Sequence, residues 1–213
     1  MRPDEAAQQI LHQLAHISRA WWPLAVAWHI YVVALAASLA LRWRPSRRLA
    51  ALLLSAPLVS VALLALAAGN PFTSAVLLVT VVLANMAVRR LAPARILVSS
   101  HVPSAVGGGL VVFGLAYPHF LESAVTIRYL YAAPVGLIPC PTLAFVIGAS
   151  IALGSLGSRS WGLIVGGVGL LYALIGCILL GVWLDGVLAA GSLILLVSVL
   201  SSRTLRPRAV AAR

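Results

Sequence analysis

The chain has 213 residues, of which 62% are hydrophobic and 9% charged, and its formal net charge is +11. A water-soluble domain of this length needs far more polar surface, so the composition excludes one. The basic excess is not a nucleic-acid signature, because the residues behind it are all arginines lying in short connectors between apolar runs, where the positive-inside bias puts them.

Seven apolar runs follow in chain order, near 21–41, 50–68, 71–88, 96–117, 135–156, 161–182 and 184–202. A hydrocarbon core of ~30 Å takes about 20 residues of helix, and these runs approach that length. They lack the period-two alternation of a membrane barrel, and lipid demands internally paired backbone, so helices are predicted. The expected fold is all-α, a polytopic transmembrane helix bundle of about seven spans. It divides into an N-terminal interfacial amphipathic segment (1–20), a transmembrane helical domain (21–202) and a basic tail (203–213). Within the first segment Ile10, Leu14 and Ile17 recur at helical spacing. Two readings of that segment stand: a helix lying in the interface, or an extension of the first span. Charge follows rather than precedes the first apolar run, which is the reverse of a signal peptide, so residues 1–38 are not expected to be a cleaved leader.

Charge sets the expected orientation. Arg42, Arg44, Arg47, Arg48, Arg89, Arg90, Arg95 and Arg159 fall on one side if seven helices alternate, together with Arg203, Arg206, Arg208 and Arg213. The other side receives Arg2, Arg19 and Arg128 and all four acids, Asp4, Glu5, Glu122 and Asp185. Twelve arginines against three predict an outside N-terminus and a cytoplasmic C-terminus. Trp43 and Trp161 are expected in the inner aromatic belt. Tyr117, Phe120, Tyr129, Tyr131 and Trp183 are expected in the outer one.

The segment 131–142, Tyr-Ala-Ala-Pro-Val-Gly-Leu-Ile-Pro-Cys-Pro-Thr, carries three prolines and a glycine, which a regular helix does not accommodate. It is apolar enough to enter the membrane. The pattern predicts an irregular stretch dipping in from outside, with the fifth helix starting near Pro141 and Cys140 as its cap. Helix starts at membrane depth expose unpaired N–H groups and survive only inside protein or beside a cavity. The site expectation is therefore a binding site at Cys140, with Thr142 beside it.

Gly136, Cys140, Ala144, Gly148 and Ala152 form a small-residue stripe, and Gly169, Ala173, Cys177 and Gly181 form another on the sixth run. Facing stripes let helices approach closely, and the short 157–160 connector then places Cys140 and Cys177 at matching depth. The pair is open to three fates: a disulfide, a soft-metal site shared with histidine, or plain packing. His29 and His119 are expected near the same level. Asn85, Ser55, Ser60, Ser150 and Thr80 are expected to bond between helices or back to backbone. No haem or zinc spacing is present, so no cofactor is expected beyond a possible soft metal ion on Cys140 and Cys177.

Pro139-Cys140-Pro141-Thr142 with Phe145 and Gly148, the Trp22-Pro23 step, Asn70-Pro71-Phe72 and the Gly-rich sixth run together resemble an uncharacterised family of small bacterial multi-pass membrane proteins, a domain of unknown function. Where that family has a Tyr-Asn pair ahead of Trp-Pro, this chain has Ser18-Arg19. The resemblance implies a bacterial inner-membrane location and supplies no activity. The functional expectation is a small-solute or soft-metal-ion permease or binding protein. The alternative is a non-catalytic accessory or assembly subunit, a homo-oligomer or bound to a membrane partner, and a thiol-disulfide oxidoreductase comes third. Nothing in the sequence defines an enzyme, and nucleic acid is not an expected partner.

Overall fold

The computed structural model describes residues 3–118 and 131–201. His119, Phe120, Glu122, Arg128, Tyr129 and the basic tail lie outside the described residues. The described chain is helical throughout and contains no strand. In order the helices are α1 (Pro3–Ala20), α2 (Trp22–Ala40), α3 (Arg47–Ala67), α4 (Pro71–Arg89), α5 (His101–Leu115), α6 (Pro139–Ala152), α7 (Arg159–Leu174, continued as a π turn Ile175–Leu179) and α8 (Asp185–Ser201).

Four stretches, Trp22–Ala40, Arg47–Ala67, Pro71–Arg89 and Arg159–Leu179, are long and apolar enough to cross a membrane. α5, α6 and α8 are apolar but shorter. α6, with 14 residues, rises only about 21 Å at 1.5 Å per residue. Short helices and irregular flanks are tolerable there because α6 is the central helix. Its residues from Pro141 to Gly148 are all buried, so protein rather than lipid surrounds it.

Local chemistry explains the boundaries. Ser46 caps α3 by accepting from the Leu49 amide at 3.2 Å, and Asn70 caps α4 by accepting from Thr73 at 3.0 Å, with Pro71 at the first helical position. α1 and α2 are separate helices broken at Trp21, since Pro23 has no N–H and restricts Trp22. α3 carries Pro57 in its interior, which deprives the Leu53 carbonyl of its helical partner. The Tyr31 hydroxyl of α2 replaces it at 2.9 Å. The expected polar contacts between helices are present: Asn85 donates to Ser55 at 2.8 Å and Ser60 to the Gly136 carbonyl at 2.7 Å, while Thr80 and Ser150 bond back to their own helices.

The small-residue stripes do not face one another as expected. Gly148 of α6 meets Gly107 of α5 backbone to backbone, and Gly114 lies against the Pro141 carbonyl. On α7, Gly162 faces Val199 and Gly166 faces Leu196 of α8, while the stripe residue Gly169 lies against Ile147 of α6 and Ser192 of α8. Close approach matters here because lipid offers no hydrophobic drive between helices, leaving dispersion contacts to hold them.

Successive helices α2 to α8 alternate direction between two ends. At one end Arg47 donates its amide to the Ala94 carbonyl at 2.9 Å, Arg48 donates to Arg89 at 3.1 Å, and the Arg47 guanidinium lies against Gly157. The arginine-bearing connectors therefore gather there. Two aromatic expectations are corrected. Trp161 is fully buried and donates to the Ser150 hydroxyl at 2.9 Å, and Tyr117 is fully buried at the opposite end. Both rings carry a polar tip that found a partner inside the protein, which removes the reason to sit at the lipid boundary. Trp43, Tyr131 and Trp183 are exposed.

Candidate functional site

The end opposite the arginines is built around the Pro-Cys-Pro segment. Residues 132–138 are irregular and buried, and their polar backbone is met locally. Leu137 and Ile138 donate to the Pro134 carbonyl at 3.2 and 3.1 Å. Gly136, at φ +73°, donates to the Thr142 hydroxyl at 2.8 Å, and that hydroxyl donates to Ile138 at 2.7 Å. The indole of Trp28 lies over Gly136 in the space a side chain would fill. Thr142 is thus committed to holding this loop and does not line the chamber described next.

α6 starts at Pro139, not Pro141, and Ile138 rather than Cys140 is the capping position. The reason is that the first turn's N–H groups have no helical acceptor in any case. Pro139 and Pro141 both fall within that turn, so their missing N–H groups cost nothing there. Cys140 sits between them, one position inside the helix.

Beside Cys140 lies a chamber of about 140 Å³. Its polar lining is Cys140, Asp185, Tyr172, Thr73 and Asn70, and Ile10 and Leu14 of α1 lie over it. α1 presents Leu11, Leu14 and Ile17 to the buried 133–138 region and leaves Gln9, His12, Gln13 and His16 exposed, which is the amphipathic pattern its sequence predicts.

Asp185 was expected on the outer side, at the start of the seventh run. It is buried, at the start of α8. Tyr117 donates its hydroxyl to this carboxylate at 2.7 Å, and the Cys140 thiol lies within hydrogen-bond reach of it. Gly176, in the π turn, makes the room: a Cβ there would run into the Asp185 side chain. π turns recur at functional sites. The Tyr172 hydroxyl is buried without a hydrogen-bond partner, with Thr73 beside it but outside bonding geometry. A buried hydroxyl left unmet costs about 1–3 kcal/mol, which makes Tyr172 a strained member of the lining.

Both cysteines are free thiols. Cys177 is half-buried on the π turn, lies 3.7 Å from the Val182 carbonyl and is not among the residues that line the chamber. His29 does not join the site. Its two ring nitrogens lie 2.8 Å from the carbonyls of Ala25 and Leu115, so it ties α2 to the end of α5. Among the described residues no group of three or more His, Cys, Asp or Glu side chains is arranged to hold a metal ion. Cys140 is therefore the expected site residue that the chamber retains, and Asp185, Tyr172 and Tyr117 are the ones sequence reasoning missed. A protonated thiol beside a carboxylate is a polar wall rather than a nucleophile. Together the groups offer donors and an acceptor to a small guest.

Comparison of the chain with protein-family models, with curated proteins and with solved structures found no match in any of the three.

Proposed function

We propose that this chain is a bacterial inner-membrane protein whose seven helices α2 to α8 all cross the bilayer, the arginine end in the cytoplasm, and that it binds a small polar solute in the Cys140 chamber as a permease or solute-binding subunit. One observation carries this reading: a chamber of about 140 Å³ that gathers Cys140, Asp185, Thr73 and Asn70 in an otherwise apolar lining. Cavities near 150 Å³ take a guest of roughly benzene size, and this polar lining favours one that hydrogen-bonds. A soft-metal site draws less support, because Cys140 and Cys177 face different partners. The accessory-subunit alternative also draws less, because the stripes that would mediate assembly are occupied within the chain.

Access is the test. Cys177→Ala leaves Cys140 as the single thiol, and a small methanethiosulfonate reagent should modify it in the folded, detergent-solubilised protein. A Cys140 that stays unreactive until the protein is unfolded would mark the chamber as a sealed packing defect and overturn the reading. Stoichiometric uptake of Zn(II) or Cu(I) that disappears in Cys140→Ser would favour the metal alternative instead.

A further inference from the structure

The side-chain hydrogen bonds that tie α2 to the bundle all fall between Trp28 and Tyr31, while farther along Val32, Leu35 and Leu39 pack on the core by apolar contact alone. Trp28 donates to Ser60 at 3.1 Å, His29 contacts Leu115, and Tyr31 donates to Leu53. Beyond these three pins α2 approaches the bundle helices at few points, and a gap of about 480 Å³ opens between its second half and α3, α5 and α6. The walls are apolar, among them Leu35, Leu39, Leu54, Val111 and Phe145, and the gap reaches the arginine end at Arg44. Arg44 uses one guanidinium nitrogen to cap α2, donating to Leu39 at 2.6 Å and Trp43 at 3.1 Å, and its other two nitrogens donate to no protein group among the described residues. The chain's four acids are at 4, 5, 122 and 185, so none lies in the connectors that carry Arg42 to Arg48, Arg89 to Arg95 or Arg159. Among the described residues no acid stands at this end, so a counter-charge from outside the chain fits it.

We infer that this gap is a binding groove for one acyl chain of an anionic phospholipid, its phosphate held at Arg44. At ~30 Å³ per water-sized group, the gap takes about sixteen methylene-sized groups, one fatty-acyl chain. Pocket size and chemistry agree with ordinary ligand sites, which are mostly apolar with a few placed polar groups. Arginine binds phosphate through paired N–H groups, and the basic side of a membrane protein faces the anionic leaflet. The groove is independent of the Cys140 chamber, and either can fail alone.

Gly108 lines the groove, and a Cβ built there meets nothing within 4 Å, so Gly108→Leu fills the space without a clash at its root. The experiment measures phosphatidylglycerol and phosphatidylcholine retained by the full chain in native mass spectrometry. Wild type should keep one phosphatidylglycerol per chain in preference to phosphatidylcholine. Gly108→Leu should lower that retention at least tenfold with an unchanged or higher thermal midpoint. Arg44→Gln should abolish the preference between headgroups. The inference is overturned if Gly108→Leu retains phosphatidylglycerol like wild type, if wild type keeps both lipids equally, or if the groove variant changes a dimer population rather than lipid content.

Discussion

Gly107 and Gly108 are neighbours on one helix, and the structure assigns alanine at these two positions opposite effects. At Gly107 an added Cβ would land on the Gly148 carbonyl oxygen, 2.8 Å from the Ala152 amide nitrogen and 3.0 Å from its Cβ. These are backbone atoms of the central helix, so nothing flexible can yield, and α5 must back away from α6. At Gly108 the same Cβ meets open space. Both substitutions carry the same helix-propensity gain of about 1 kcal/mol. The difference between them cancels that gain and leaves the overpacking cost alone, about 1–3 kcal/mol. Gly108→Ala should therefore be mildly stabilising and Gly107→Ala neutral to about 2 kcal/mol destabilising. Unfolding by SDS in mixed micelles, followed by circular dichroism, gives the ranking. Gly148→Ala should behave like Gly107→Ala, and the double variant should cost less than the sum, because the first substitution has already parted the helices. A Gly107→Ala protein as stable as Gly108→Ala would refute the backbone contact between α5 and α6, and with it the central placement of α6.

Two further outcomes are expected. A double-mutant cycle of Tyr117→Phe and Asp185→Asn should return a coupling of about 1–3 kcal/mol, read from the same unfolding assay, and additive effects would deny their 2.7 Å hydrogen bond. In the α6–α7 connector, Gly154, Ser155, Leu156 and Gly157 all have positive φ, between +53° and +67°, which L residues adopt at about 1–2 kcal/mol each. Ser155→Gly should therefore raise stability by about 1 kcal/mol, whereas Leu156→Gly should lower it because a fully buried side chain is lost; a loss on Ser155→Gly would contradict the left-handed turn.

The helical class and the extent of α4 were legible because apolar run length is a local signal: the 71–88 run lies within a residue of Pro71–Arg89. α3 begins at Arg47, three residues ahead of its apolar run, because the arginines of its first turn extend the helix without adding hydropathy. Pairing of helices was not legible, since a stripe at i, i+4 gives a face and never a partner. Gly148 and Gly169 belong to similar stripes, yet one meets α5 while the other is filled by Ile147 and Ser192. The connector before α7 shows the same limit. The apolar run extends to 156 and predicts a connector at 157–160, whereas α6 ends at Ala152, and nothing in Gly-Ser-Leu-Gly announces that Ser155 and Leu156 wind left-handed.

At the candidate site the cysteine was legible and its neighbours were not, for a physical reason that bears on function. An acid at the start of an apolar run reads as a solvated residue, because water is its cheapest surroundings. Asp185 is buried nonetheless, and what makes that tolerable is spread over distant parts of the chain: the Tyr117 hydroxyl, the Cys140 thiol, and a glycine that a π turn brings against the carboxylate. Each of these reads as something plainer when taken alone, a belt tyrosine, a packing thiol, one glycine of a Gly-rich run. A carboxylate held inside a membrane bundle by three separate concessions is a stronger pointer to binding than the thiol that first drew notice, since a small buried thiol needs no such arrangement to be stable. It follows that Gly176→Ala should disturb the chamber as much as Cys140→Ser does, by moving the carboxylate that Tyr117 holds beside the thiol.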